Sequence, residues 1–231
     1  MTASEPLSAT GQHYLETIYN VTVEGDPVVG ARLAEQFGVS PASVSMMLQR
    51  LERDGYLTLD RRQGAALTEL GMTTAATSVR RHRLVERFLF DVLHMDWVTA
   101  HEQAHALEHA ITPTIEAHMV AVLGNPTTCP HGNPIPGSAP QIEAFLSDQH
   151  AMRLGSAPVG QQLRVVCVSE VVEDEATLLR YVEAVGLRPD RLVQVTGQDQ
   201  AHCALQVQGQ AQPTLLPHSL AAKIWVVAAQ D

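Results

Sequence analysis

The sequence predicts a mainly α-helical chain in three parts. These are a winged helix-turn-helix at the N-terminus, a second helical domain carrying a dimer interface, and a small β-rich domain at the C-terminus. Three observations predict this. Apolar positions recur every three to four residues from about Ser8 to Asp54 and then give way to two short strand-like segments. The helical period resumes from Glu69 to about Leu123, with more apolar positions than one small domain needs. Beyond a Pro- and Gly-rich stretch at Gly124 to Pro140, the apolar runs become short and strand-like.

The elements follow in order. Ser8 to Val23 places Tyr14, Leu15, Ile18 and Tyr19 at helical spacing. Val28 to Phe37 does the same with Val29, Leu33, Ala34 and Phe37, and Gly38 makes the turn. Ser40 is a cap and Pro41 suits the first position of a third helix, which buries Val44, Met47, Leu48 and Leu51 and ends at Gly55. Tyr56–Asp60 and Ala65–Thr68 read as two strands around an Arg61–Gly64 turn. Helix, turn, helix and hairpin make the winged pattern. In the second domain, part of the surface carrying Leu84, Val85, Phe88, Leu89, Val92, Leu93 and Trp97 reads as a dimer interface. The Pro-rich stretch reads as a linker. Gln162–Ser169, Leu192–Thr196, Ala204–Val207 and Ile224–Val227 read as strands, and Ala176–Ala184 as a short helix. Domain boundaries are expected at 1–70, 71–140 and 141–231.

The stretch His101-Glu-Gln-Ala-His105-Ala-Leu-Glu108-His109 carries the chemistry. It holds no Gly or Pro, so it reads as helix. Spacings of three and four then place His101, His105, Glu108 and His109 along one side. His82 and Glu86 lie one turn apart some twenty residues earlier, and His13 and Glu16 are three apart on the first helix. Imidazole and carboxylate together suit a borderline divalent cation. A single histidine of this kind is most simply a solvated polar group. The six groups from His82 to His109, on two neighbouring helices, favour a metal centre.

Composition sets the bounds. The 231 residues suffice for a sizeable core. No apolar run reaches the roughly 18–20 residues that span a bilayer. The polar segment Met1–Gln12 lacks a basic-then-apolar signal, so a cytoplasmic location and no membrane partner are expected. Cys129, Cys167 and Cys203 form no CxxC pair, which argues against a disulfide framework or a zinc ribbon. A net charge of −10 argues against general nucleic-acid binding, yet leaves room for a local basic face. His94, His118, His131, His150, His202 and Cys129 are read as structural or solvated.

Four stretches carry a family likeness: His13-Tyr-Leu-Glu-Thr-Ile-Tyr19, Ser43 to Gly55, Arg81-His-Arg-Leu-Val-Glu-Arg87, and His105 to His109 followed by Gly132-Asn-Pro-Ile-Pro136. With these in this order, the chain resembles the diphtheria toxin repressor and manganese transport regulator family of metal-dependent transcription factors. The likeness extends over nearly the whole chain, with Leu216-Pro-His218 as a supporting match to an SH3-like (FeoA-like) C-terminal domain. It implies a primary metal site at His13, Glu16, His105, Glu108 and His109. It implies an ancillary site at His82, Glu86 and His101, joined by Glu170 and Glu173 from the C-terminal domain. It further implies a homodimer that binds a palindromic operator in double-stranded DNA and represses metal-uptake genes. Iron-type members of the family carry sulfur ligands at the positions of His13 and His105, and manganese-type members tend to carry carboxylates there. The nitrogen- and oxygen-only primary set of this chain suits Mn²⁺ or Fe²⁺.

The helix wheel gives the DNA-facing surface. With Val44, Met47, Leu48 and Leu51 inward, Ser40, Ala42, Ser43 and Met46 project toward DNA, and Arg50, Arg61 and Arg62 are placed for phosphate contacts. None of the projecting groups offers an Arg-to-guanine fork, so shape and phosphate positioning are expected to carry much of the specificity. Two other readings compete. His105-x-x-Glu108-His109 matches an inverted zinc-hydrolase motif, and a winged-helix protein could bind DNA without metal.

Overall fold

The structure is a computed structural model that describes residues 7–60, 64–171 and 175–229. Arg61, Arg62 and Glu173 lie outside the described residues. The first helix, α1 (Ala9–Val23), starts where Ser8 Oγ accepts from Gly11 N at 3.2 Å. Helix α2 (Gly30–Phe37) ends on Gly38, whose φ of 61° is left-handed. Helix α3 (Pro41–Arg53) opens with Ser40 Oγ accepting from Ser43 N at 3.1 Å and buries Val44, Leu48 and Leu51. Met47 is only half-buried. Strands β1 (Leu57–Asp60) and β2 (Gly64–Leu67) pair antiparallel, with Leu57 opposite Leu67. The winged helix-turn-helix is thus formed as its sequence pattern predicts.

The second domain departs from a continuous helical run. Helix α4 (Glu69–Asp91) is followed by His94 at φ 56°, and Asp96 then caps α5 (Trp97–Leu107) through Thr99 N at 3.0 Å. The helix expected to continue through His109 stops at Leu107. Glu108–Ala110 tightens into a 3₁₀ turn, and Thr112 with Pro113 restarts the chain as α6 (Pro113–Val122). A proline at the first helical position cannot extend the preceding helix but suits the start of a new one.

The C-terminal domain comprises α7 (Ile142–Asp148), β3 (Met152–Arg153), β4 (Gln162–Val168), α8 (Glu175–Ala184), β5 (Leu192–Gln198), β6 (His202–Val207), β7 (Thr214–Pro217), α9 (His218–Ala221) and β8 (Ile224–Ala228). Its sheet has the order β3-β8-β4-β5-β6-β7, with every neighbouring pair antiparallel. One face of this sheet packs with α8 and with Trp97 and Val98 of α5. Ile142, Leu146, Val166, Cys167 and Val227 join the core of the winged helix itself. The domain therefore buries apolar surface against both of the others.

Two expectations change. Trp97 is 1 % exposed within the C-terminal core, so it is not an interface residue. Leu84, Val85 and Leu89 are likewise buried within the protomer, whereas Val92, Leu93, Ile115 and Val122 are exposed. The second correction concerns Gly124–Pro140. Residues 129–135 are all buried, so this part of the segment is an anchored strap and not a free linker. Val168 N donates to His131 O at 3.0 Å, Asn133 Nδ2 donates to Val168 O at 2.9 Å, and Arg83 donates to Pro134 O at 2.5 Å. Gly132 sits at φ 89°, and a Cβ there would lie 2.1 Å from Val166 O and 2.9 Å from Cys167 Cα. Only glycine permits that approach.

Gly132→Ala combines a left-handed backbone with a backbone clash. It should cost about 2 kcal/mol or more. Chemical denaturation should show a lower midpoint, and limited proteolysis should show faster cleavage near the strap. An unchanged midpoint would remove the strap from the account of how the domains are joined.

Candidate metal centre

Helices α1, α4 and α5 converge on one histidine-rich centre. The ligand atoms of His13, Glu16 and His105 all lie within 4.8 Å of one another, as do those of His82, His101 and His105. His105 therefore stands in both groups. Its ring centroid is 5.1 Å from that of His13, 4.4 Å from that of His82 and 4.7 Å from that of His101. A cavity between the helices is lined by residues that include His13, Glu16, His82, His101, His105 and Glu170. Glu16 is buried, and its Oε1 has no hydrogen-bond partner among the described residues. An unpartnered carboxylate oxygen facing imidazoles fits a cation ligand, because leaving it unpaired and dry is costly.

Glu108 occupies a different position from the one its motif suggests. The 3₁₀ turn directs Glu108 Oε2 to His82 Nδ1, at 2.5 Å. Its Oε1 lies 3.9 Å from His105 Nδ1 and 3.5 Å from His109 Nε2. Glu108 thus bridges the residues expected for two separate sites. His109 lines another cavity, with Gln12, Thr73 and Arg81 among its neighbours. His105 and His109 do not join in one candidate metal group among the described residues.

The charges interlock. Burial pushes the His82 imidazole down, but Glu86 and Glu108 outweigh this and hold it well above its ordinary range. Burial pushes Glu86 up, and His82 with His131 brings it well below. Burial similarly raises Glu108, but its hydrogen bonds to His105 and His82 leave it at about 2. His105 is pushed down, chiefly by burial. His82 thus lies between two carboxylates that favour its charged form.

Glu170 is placed by the fold in the same cavity, but its oxygens are engaged elsewhere. Arg83 donates to Oε1 at 3.1 Å and to Oε2 at 2.8 Å. Asn133 donates to Oε1 and Asn20 to Oε2, each at 2.9 Å. Glu170 is thus tied to α1, α4 and the strap while lining the same cavity. Glu173, the other expected ancillary ligand from this domain, lies outside the described residues.

Cys129 and His131, read from sequence as structural or solvated, are both 1 % exposed and sit against Glu86. A signal was present in Cys129-Pro-His131-Gly. Two donor side chains two residues apart stood beside the Gly132–Pro136 motif, inside a stretch whose composition reads as loop. Arg83, Asn20 and Asn133 were also missed, since nothing in their spacing links residues so distant in the chain.

The Glu108 shift has a pH consequence. Its folded-state value of about 2 lies below the ordinary 4.5, so the unfolded chain takes up the proton first. The stabilisation is complete above about pH 5 and is lost as pH falls toward 2, on the order of 2 kcal/mol. In the metal-free protein, Glu108→Gln should flatten this acid limb in denaturation measured from pH 6 to pH 2. Parallel pH profiles for variant and wild type would overturn the assignment.

Comparison with known proteins agrees with this architecture. Residues 6–65 match the family described as "Iron dependent repressor, N-terminal DNA binding domain". Residues 68–137 match "Iron dependent repressor, metal binding and dimerisation domain", and residues 152–228 match the FeoA domain. The chain is 35% identical over 222 residues to the iron-dependent repressor IdeR of Mycobacterium tuberculosis, covering 94% of this chain and 96% of that one. It is 30% identical over 206 residues to the diphtheria toxin repressor of Corynebacterium diphtheriae, covering 87% and 89%. A structure titled as a manganese-dependent transcriptional repressor in complex with manganese superposes with a TM-score of 0.78 at 30% identity, covering 95% and 100%. ScaR with bound Zn²⁺ also gives 0.78, at 27% identity over 95% and 99%. The chain belongs to the diphtheria toxin repressor and manganese transport regulator family.

Proposed function

We infer that this protein is a metal-dependent DNA-binding transcriptional repressor, acting as a homodimer on a palindromic operator in double-stranded DNA. One observation carries the reading. His13 and Glu16 come from α1 of the DNA-binding domain, His105 comes from α5 of the metal-binding and dimerisation domain, and their donor atoms lie within 4.8 Å. A divalent cation held there supplies a positive charge shared by the two domains. The buried Glu16 Oε1, which has no hydrogen-bond partner among the described residues, would gain that cation as a partner. Tying α1 to α5 fixes the direction in which each protomer presents α3. Two such helices must enter major grooves about 34 Å apart on a palindromic site. Shifting the competent arrangement from about 1:99 to 99:1 needs about 5.5 kcal/mol, roughly half from each protomer.

The nitrogen and oxygen donors of His13, Glu16 and His105 suit Mn²⁺ or Fe²⁺. The family likeness would extend the primary set to Glu108 and His109, although here Glu108 is held by His82 and His109 lines a neighbouring cavity. His82, Glu86 and His101 are the core of an ancillary set. Repression of metal-uptake genes, a cytoplasmic location and the lack of an enzymatic role belong to the same proposal. No described helix is long and apolar enough to cross a membrane.

The DNA-facing surface is α3. Ala42 and Arg50 are exposed, and Met46 is 66 % exposed although apolar, as a contact to thymine methyls requires. Ser40 is engaged as the helix cap and its hydroxyl lies 2.9 Å from that of Ser43, so these two act more through helix geometry than by reading bases. Arg50 lies 3.7 Å from Asp54, an exposed pair weak enough to be exchanged for a phosphate. Arg61 and Arg62 remain proposed phosphate contacts.

Glu16→Ala should abolish stimulation of DNA binding by Mn²⁺ or Fe²⁺ while leaving a folded dimer. Retained stimulation in a mobility-shift titration would sink the shared-ligand mechanism. Arg50→Ala should weaken binding about equally across operator variants and lower the salt slope by about one unit. Met46→Ala should instead alter preference among those variants. Identical salt slopes for wild type and Arg50→Ala would exclude a phosphate contact at that position.

A further inference from the structure

We propose that the cleft between α2 of the DNA-binding domain and the C-terminal domain binds a small organic carboxylate with an apolar body, and that its occupant acts on the regulator together with the metal. The second half of this inference rests on the regulator reading above. The cleft has a volume of about 630 Å³, within the roughly 300–1,000 Å³ of small-molecule sites. Arg32 and Gln36 line it from α2, Leu178 from α8 and Leu220 from α9. Val171 and Lys223 line it from the segments that precede α8 and β8. None of the histidines of the metal centre lines it.

The lining divides by chemistry. Val171 and Leu178 are buried and Leu220 is half-buried, which gives the cleft an apolar side. Tyr181 spends its hydroxyl on Leu215 O at 3.0 Å, which leaves its ring for apolar contact. Arg32 and Lys223 bring two positive charges, against one carboxylate on Glu35. Lys223 Nζ donates one of its three protons to Val171 O at 2.6 Å and keeps two for a ligand. Burial pushes this ammonium down, Glu24 and Asp26 oppose that, and Arg153 and Arg32 add to it. Arg32 lies 3.6 Å from Asp26, a partly exposed pair weak enough to be given up. A carboxylate held between Arg32 and Lys223 would relieve their mutual repulsion. Its hydrocarbon would cover Val171, Leu178 and Leu220. A neutral apolar molecule would leave both cations unanswered, and inorganic phosphate would leave the apolar side wet.

Gln36 connects this cleft to the metal centre. It lines both the cleft and the cavity of His13, Glu16 and His105. Its neighbour Phe37 meets the His13 ring edge-on, at 5.2 Å between centroids. An occupant that touches α2 and the C-terminal domain together thus acts on a helix that packs against a metal-binding side chain. Two ligands that favour the same placement of α2 strengthen each other, and the effect is equal in both directions.

The test titrates the full-length, metal-free protein by calorimetry with decanoate, kept below its micelle concentration. Decylammonium, a cation on the same chain, and inorganic phosphate are the other two probes. Decanoate should bind at one equivalent per protomer, and the other two should bind at least about tenfold more weakly. Lys223→Met removes the charge and keeps the chain length. Ser219→Trp fills the cleft from an exposed position on α9 and leaves both cations in place. Each should weaken decanoate by about tenfold or more. In a mobility-shift titration, saturating decanoate should lower the Mn²⁺ concentration for half-maximal DNA binding by about fivefold, and Ser219→Trp should remove that shift. No binding of decanoate, equal binding of decylammonium or phosphate, or affinity unchanged in either variant would overturn the site. An unmoved Mn²⁺ midpoint with decanoate bound would overturn its action on the regulator. If Mn²⁺ fails to stimulate DNA binding even without decanoate, the regulator reading fails, and calorimetry still decides the site.

Discussion

The middle of this protein is organised around a carboxylate almost wholly removed from water. Glu86 is 1 % exposed and cannot remain charged there without close counter-charges. His82, held in its charged form, lies against it, and His101 and His131 also bring a ring nitrogen within 3.5 Å of Glu86 Oε1. Glu108 then holds His82 from the other side. Each group in this chain of contacts makes its neighbour tolerable in a dry interior. The side chains so held are of the kinds that suit a cation.

The same constraint explains why three domains meet at one place. Arg83, one residue from His82 on α4, is buried and must be answered by an acid. Glu170, 87 residues later, answers it and is shared with Asn20 of α1 and Asn133 of the strap. A second tie joins α1 to the C-terminal domain, where Glu24 accepts from Arg153 and Ser169. These ties join α1 to α4, the strap and the C-terminal domain.

The dimer and DNA surfaces differ from the centre in kind. Val92, Leu93, Ile115 and Val122 remain exposed on the second domain, and Phe88, Ile115, Met119 and Val122 line an apolar groove there. A dimerisation domain is expected to leave such a face for a second copy. On α3, the proposed recognition surface combines short side chains and Met46 at its start with Arg50 at its end. Affinity must then come from the arginines and from the geometry of two helices held in register.

The sequence by itself determined the winged helix, because its periodicity, caps and turn glycines act within a few residues of one another. It also determined the chelating pairs His13 with Glu16 and His82 with Glu86, since helical spacing alone places such pairs on one face. Tertiary structure decided what these pairs meet. The 3₁₀ turn after Leu107 rotated Glu108 onto His82, an outcome set by Thr112 and Pro113 restarting the chain and by the buried imidazole requiring a carboxylate. Burial of the strap rests on Gly132 approaching Val166 and Cys167, a contact between segments more than thirty residues apart in the chain. Its Pro- and Gly-rich composition reads equally well as a free linker. Cys129 and His131 became part of the centre only through that approach, because local composition fixes backbone preference while burial depends on surfaces from distant parts of the chain.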